Sequence, residues 1–135
     1  MSLAQAASVL AAVLIAGVAV FQLALAAGVP FGEAVLGGKA PTNDGVLTPP
    51  FRILAVVQAL VLVALGWVLL ARTEVAGITL PAGGTPSWLI WTILVLLVLN
   101  TLGNFTAPHP IERWVMGSIT LVLSGLTLVI ALSAE

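Results

Sequence analysis

Four long apolar runs divide this chain, and they leave almost no room for charge. Residues 3–27 hold no charged side chain and only three clearly polar ones, Gln5, Ser8 and Gln22. Residues 51–71 hold Arg52 at their start and Gln58 inside. Residues 87–105 turn polar only towards their end, at Asn100, Thr101 and Asn104, and residues 113–133 are charged only at Arg113. About 20 helical residues cross a hydrocarbon core of roughly 30 Å. Only helices and closed barrels satisfy their backbone groups in lipid, and barrel strands alternate polar and apolar side chains. These runs do not alternate. They predict an all-α fold, a four-transmembrane-helix bundle with helices over 3–27, 51–71, 87–105 and 113–133, in one membrane domain.

Composition narrows the functions. Only 7% of the 135 residues are charged and 61% are hydrophobic, against about 25% charge in a soluble domain, so a lone water-soluble globule is excluded. The chain has no cysteine and one histidine, which excludes disulfides, thiolate chemistry, Cys-ligated metals and any site needing two histidines. No metal and no cofactor are expected; a haem would need at least one axial ligand from a partner. Four Lys and Arg at a net charge of −1 argue against a nucleic-acid partner. The expected partners are the lipid bilayer and other membrane protein subunits, or further copies of the chain. Ala24-Leu25-Ala26 has the small-residue form of a leader cleavage site, but Met1 to Gln5 lacks positive charge and the apolar run is too long. The first run therefore reads as a retained membrane helix.

The connecting segments are rich in Gly and Pro. Pro41, Pro49-Pro50, Pro81, Pro86, Pro108 and Pro110 read as lying outside the helices, where a missing N–H does least harm. Phe31 to Leu36 reads as a short interfacial helix ended by Gly37 or Gly38. Gly37-Gly38-Lys39 lacks the flanking residues of a phosphate-binding loop. Trp67, Trp88, Trp91, Phe31, Phe51, Phe105 and Trp114 fall near the helix ends, where aromatic rings straddle the membrane–water boundary.

Helices in lipid associate through close packing and polar contacts, so small residues mark interfaces. Gly117, Thr120, Ser124, Thr127 and Ala131 share one face of the fourth helix, and Ala55, Ala59 and Gly66 share one face of the second. The bulky third helix is expected to meet lipid or a partner protein. Asn100 and Asn104 share a face; they read as interhelical hydrogen-bonding groups or as the polar lining of a substrate path.

Four spans put the first and third loops on one side of the membrane. Glu33, Lys39, Asp44, Arg52, Glu112 and Arg113 then gather there with His109, six of the nine charged side chains, leaving Arg72, Glu74 and Glu135 opposite. The basic residues of that side favour the cytoplasm. In His109-Pro110-Ile111-Glu112-Arg113-Trp114, Pro110 suits a first helical turn and Glu112 suits the positive end of the helix dipole. Arg113 can snorkel to the interface or pair with Glu33 or Asp44. A functional reading makes His109 and Glu112 an acid/base pair, with Arg52 or Arg113 holding an anionic headgroup.

The segments LALAAGVPFGEAVLGGKAP and LNTLGNFTAPHPIERWVMGSITLVL resemble a group of small four-helix integral membrane proteins of actinobacteria and other bacteria. The matching features are Phe31-Gly32, Gly37-Gly38, Asn100, Glu112-Arg113 and Met116-Gly117. The chain departs from the group at Ala107-Pro108-His109-Pro110 and at Ser118. The resemblance implies the four-helix fold and a bacterial cytoplasmic (inner) membrane, and implies no particular activity.

Three functions are weighed, and association is the expected one. The first is association, as an accessory subunit of a larger membrane complex or a self-associating bundle, favoured by the small-residue faces and short loops. The second is a small oligomeric transporter or channel, for which Gln22, Gln58 and Asn100 would be the polar path. The third is a lipid-modifying enzyme using Glu33, His109 and Glu112, for which no nucleophile stands out.

Overall fold

The computed structural model describes residues 1–133; Glu135 lies outside the described residues. Its four long helices are α1 (Leu3–Ala27), α2 (Pro49–Arg72), α3 (Ser87–Phe105) and α4 (Gly117–Ser133). A wider π-type turn, Ile111–Met116, runs directly into α4. All four spans are long and apolar enough to cross a membrane when that turn is counted with α4. At 1.5 Å per residue, the 25 residues of α1 extend ~37 Å and the 19 of α3 extend ~29 Å. The chain is a multi-pass membrane protein with an all-α bundle.

Two boundaries differ from the sequence reading. Pro49 and Pro50 lie inside the first turn of α2, because the N–H groups they lack would be unpaired there anyway. The fourth span becomes helical at Ile111 instead of 113. Pro110 holds φ −59° and ψ −37° there, already in the helical region.

α1 opens with a capping box: the Gln5 N–H donates to Ser2 Oγ (3.1 Å) and the Ser2 N–H donates to Gln5 Oε1 (3.0 Å). Its other end turns at Gly28, at φ 108°, a conformation that glycine adopts without steric cost. The same Gln5 donates from Nε2 to the Thr73 carbonyl, and the Ser8 and Thr73 hydroxyls lie 2.8 Å apart. The start of α1 is thereby tied to the end of α2.

The helices do not pack equally. α1 packs along α2 and against α4, and α3 packs against α4 and the turn that precedes it, whereas α2 and α3 make little contact. The core lies along the middle of this arrangement, built on Ala7, Ala11 and Ile15 of α1, Leu69 of α2, Ile90, Ile93 and Leu97 of α3, and Leu123, Ile130 and Ala131 of α4. The small faces carry the close approaches. Ala55, Ala59 and Gly66 are buried on α2, and Gly117, Thr120, Ser124 and Thr127 are buried on α4. Gly117 faces the Phe105 ring, and Thr101 Oγ1 and Ser124 Oγ lie 3.4 Å apart. The outer faces of α3, including Trp88, Val95, Leu99 and Leu102, are exposed.

The first loop is more ordered than the sequence reading allowed. In place of one interfacial helix over 31–36 there are two 3₁₀ turns, Gly32–Ala34 and Leu36–Gly38. A two-stranded hairpin follows, β1 (Thr42–Asn43) with β2 (Val46–Leu47), closed by Asp44-Gly45. Asp44 and Gly45 both hold positive φ, 52° and 84°, as this tight hairpin turn requires. The hairpin folds back onto Gly32, whose N–H donates to the Gly45 carbonyl at 2.8 Å. A helix over 31–36 would prevent that approach.

A Cβ at Gly32 would stand 2.7 Å from Gly45 O, 2.8 Å from Leu47 Cδ2 and 2.9 Å from Thr42 Cγ2. Gly32→Ala is therefore expected to destabilise the fold by roughly 1–3 kcal/mol, the usual cost of overpacking. Gly125→Ala, where nothing lies within 4 Å, should be neutral. Thermal unfolding of both variants in detergent checks the contrast; equal midpoints would refute it.

Candidate functional site

The first loop folds over the end of the bundle where α2 and α3 stand apart. Beneath it lies a cleft of about 670 Å³ that reaches all four long helices, within the ~300–1,000 Å³ typical of small-molecule sites. Val18, Phe21, Val61 and Leu62 form its apolar wall. Its polar wall comes from every helix: Gln22 of α1, Gln58 of α2, Asn100 and Asn104 of α3, and Thr120 of α4. The π-type turn adds Glu112, and Lys39 of the loop lines the rim.

Glu112 is the unusual group. It is only 7% exposed in a chain with nine charged side chains. Its Oε1 accepts the Gly37 N–H at 3.1 Å, and its Oε2 is buried without a hydrogen-bond partner. The loop backbone is shaped to make the single contact. Leu36, Gly37 and Gly38 hold φ of 53°, 65° and 73° in succession. A left-handed conformation costs a residue with a Cβ roughly 1–2 kcal/mol, so Leu36 is strained there while the two glycines are not. The π-type turn carries Glu112 on the other side of the contact; such turns occur mostly as local insertions in α-helices, frequently at functional sites.

The network around Asn104 has a defined direction. Thr120 Oγ1 donates its one proton to a backbone carbonyl, Met116 O at 2.9 Å or Gly117 O at 3.2 Å. It can therefore only accept from Asn104 Nδ2, 3.3 Å away. That assignment leaves Asn104 Oδ1 as an acceptor. Asn100, one turn earlier, is exposed on the cleft side of α3.

The remaining candidate residues stand elsewhere. Arg52 donates from Nε to the Ala26 carbonyl at 2.7 Å and closes the end of α1. Arg113 donates from Nε to the Ala107 carbonyl at 2.9 Å, and no ion pair joins it to Glu33 or Asp44 among the described residues. Glu33 is exposed. His109 accepts the Ile111 N–H on Nδ1 at 3.2 Å and so caps the start of the turn. Among the described residues no hydrogen bond joins it to Glu112, so the acid/base pair is not assembled. No group of three or more acidic or histidine side chains able to hold a metal occurs among the described residues.

Gln22, Gln58 and Gly37 complete the cleft and were not grouped with Glu112 by sequence spacing. They lie on three different elements, so no periodicity joins them. The available signal was Glu112 itself, the only acid flanking a span in the short third loop, together with a Gly-Gly pair able to turn an N–H towards it.

No protein-family model matches this chain, and neither does any curated protein or solved structure. A four-helix fold hosts many activities, so function has to be argued from the site.

Arg52→Met should lower stability by roughly 1.5–3 kcal/mol, the usual worth of a hydrogen bond from a charged donor, because the Ala26 carbonyl loses its partner. Glu33→Ala should stay within about 0.5 kcal/mol of the parent, as exposed substitutions usually do. Detergent unfolding curves compare the two, and the reverse order would show that the charges of this face are arranged differently.

Proposed function

We propose that this protein, a multi-pass protein of a bacterial cytoplasmic membrane, binds an amphiphilic molecule of the bilayer in the cleft between α2 and α3. The observation that carries this reading is the pairing of a partner-less buried carboxylate oxygen with a 670 Å³ cleft of mixed lining. Ionisable groups at membrane helices are expensive and mark ligand or ion pathways by default. The apolar wall suits a chain and the polar end suits a head. Because α2 and α3 barely touch, the ligand's tail can leave sideways into lipid while its head stays beneath the loop.

Binding is favoured over turnover. The cleft hydroxyls of Thr106 and Thr120 donate to backbone carbonyls, so neither sits beside a base that could activate it. His109 is occupied as a cap.

Association remains a second reading, supported by a different observation. An apolar groove of about 470 Å³ lies between α1 and α2, lined by Ala12, Ala16 and Gly66 together with Trp67. Small residues of this kind let a further helix approach closely, either from a larger complex or from a second copy.

Gly103 lines the cleft, and a Cβ there would meet nothing within 4 Å. Gly103→Leu should therefore fill the cleft without disturbing the fold and weaken amphiphile binding by at least roughly tenfold, about 1.4 kcal/mol. Gly125→Leu, outside the cleft lining, should leave binding unchanged. Native mass spectrometry of protein released from bilayer nanodiscs reads both. Equal lipid retention in the two variants would sink the reading.

A further inference from the structure

We infer that the polar end of the cleft is a subsite for a primary ammonium group, carried by an amphiphile and received by Glu112 Oε2. The inference rests on the proposed reading of the cleft as an amphiphile site and names the chemistry of the head.

Counting donors and acceptors leads to it. An ionised carboxylate offers about four acceptor positions. Glu112 uses Oε1 for the Gly37 N–H, while Oε2 is buried and receives nothing. The residue is 7% exposed and has no ion pair among the described residues. A buried charge left in this condition costs several kcal/mol unless something pairs with it. Asn104, in the same lining, spends one of its two amide N–H groups on Thr120 and keeps its oxygen as a further acceptor. Gln22 and Gln58 line the same cleft, and each amide can offer its carbonyl oxygen.

A primary ammonium brings three N–H donors and a positive charge on a compact centre. It supplies a donor to Oε2, has two more for amide oxygens, and neutralises the carboxylate. A hydroxyl brings one donor and no charge. A trimethylammonium brings charge and no donor. Of these common head chemistries, the primary ammonium alone answers both deficits.

The same ammonium could come from an ethanolamine phospholipid or from a free long-chain amine. Lys39 at the rim separates the two sources, because only the phospholipid carries a phosphodiester for it to attract.

The experiment places the full chain in nanodiscs of phosphatidylcholine doped in turn with phosphatidylethanolamine, phosphatidylcholine of a distinguishable chain length, and dodecylamine. Native mass spectrometry reads the molecules retained. Preference for the primary ammonium over trimethylammonium by roughly tenfold or more, the worth of hydrogen bonds to a charged group, is expected in the unmodified protein. Glu112→Gln should erase that preference while keeping the Gly37 contact through its amide oxygen. Lys39→Gln should weaken ethanolamine phospholipid alone if that is the source, and leave both ligands equal if the amine is; either result supports the ammonium subsite. Equal retention of ethanolamine and choline lipids by the unmodified protein would overturn the inference and leave the amphiphile reading standing. Retention of none of the three would overturn both.

Discussion

The hydrogen bond between the Gly37 N–H and Glu112 spans 75 positions of sequence and joins the first loop to the entry of the fourth helix. Its strength depends on where it lies. In water such a contact would contribute little, because both groups would be equally well solvated. At the end of a membrane bundle, on an acid that is almost wholly buried, the carboxylate has little water to return to. The loop is therefore held over the cleft instead of spreading along the membrane surface. The hairpin on Gly32 and the arginine contact at Ala26 then brace the same loop from behind.

The bundle below the loop follows from the absence of a hydrophobic drive between helices in lipid. Where small residues allow backbones to approach, the helices close: Gly66 against Ile15, and Gly117 against Phe105. α3 presents few such residues to α2. Its flank towards the cleft carries Asn100, Gly103 and Asn104, and these do not form an apolar seam. The gap between α2 and α3 is a consequence of what those helices carry.

The spans were legible in the sequence because membrane crossing is a one-dimensional requirement: a run of sufficient length without charge. The small faces of α2 and α4 were also visible, since helical periodicity alone lines up residues such as Ala55 with Ala59, or Thr120 with Ser124 and Thr127. The loop was not. Its hairpin depends on Asp44-Gly45 adopting positive φ and on Gly32 being small enough to receive it, and the apolar spelling of Phe31 to Leu36 suggested a helix instead. The cleft was illegible for a different reason. Gln22, Gln58, Asn104, Gly37 and Glu112 belong to five separate elements, and only the packing of the whole chain brings them together. Glu112 was readable as a helix-dipole partner, a role that an exposed acid would fill equally well; its burial adds a constraint that local sequence does not contain.

A gap between helices filled by lipid tails needs no polar lining. A mere packing defect at this position would be apolar on every side, because apolar walls meet lipid at no cost while each uncompensated amide or carboxylate does not. Here Gln22, Gln58, Asn100, Asn104, Thr120 and Glu112 share the lining with apolar residues of the helices and the loop. Leu36 keeps a strained left-handed backbone at the point where Gly37 turns its N–H inward. That strain would relax in a loop free to choose its own conformation, so surrounding contacts must hold it. The carboxylate it serves keeps one buried oxygen without a hydrogen-bond partner.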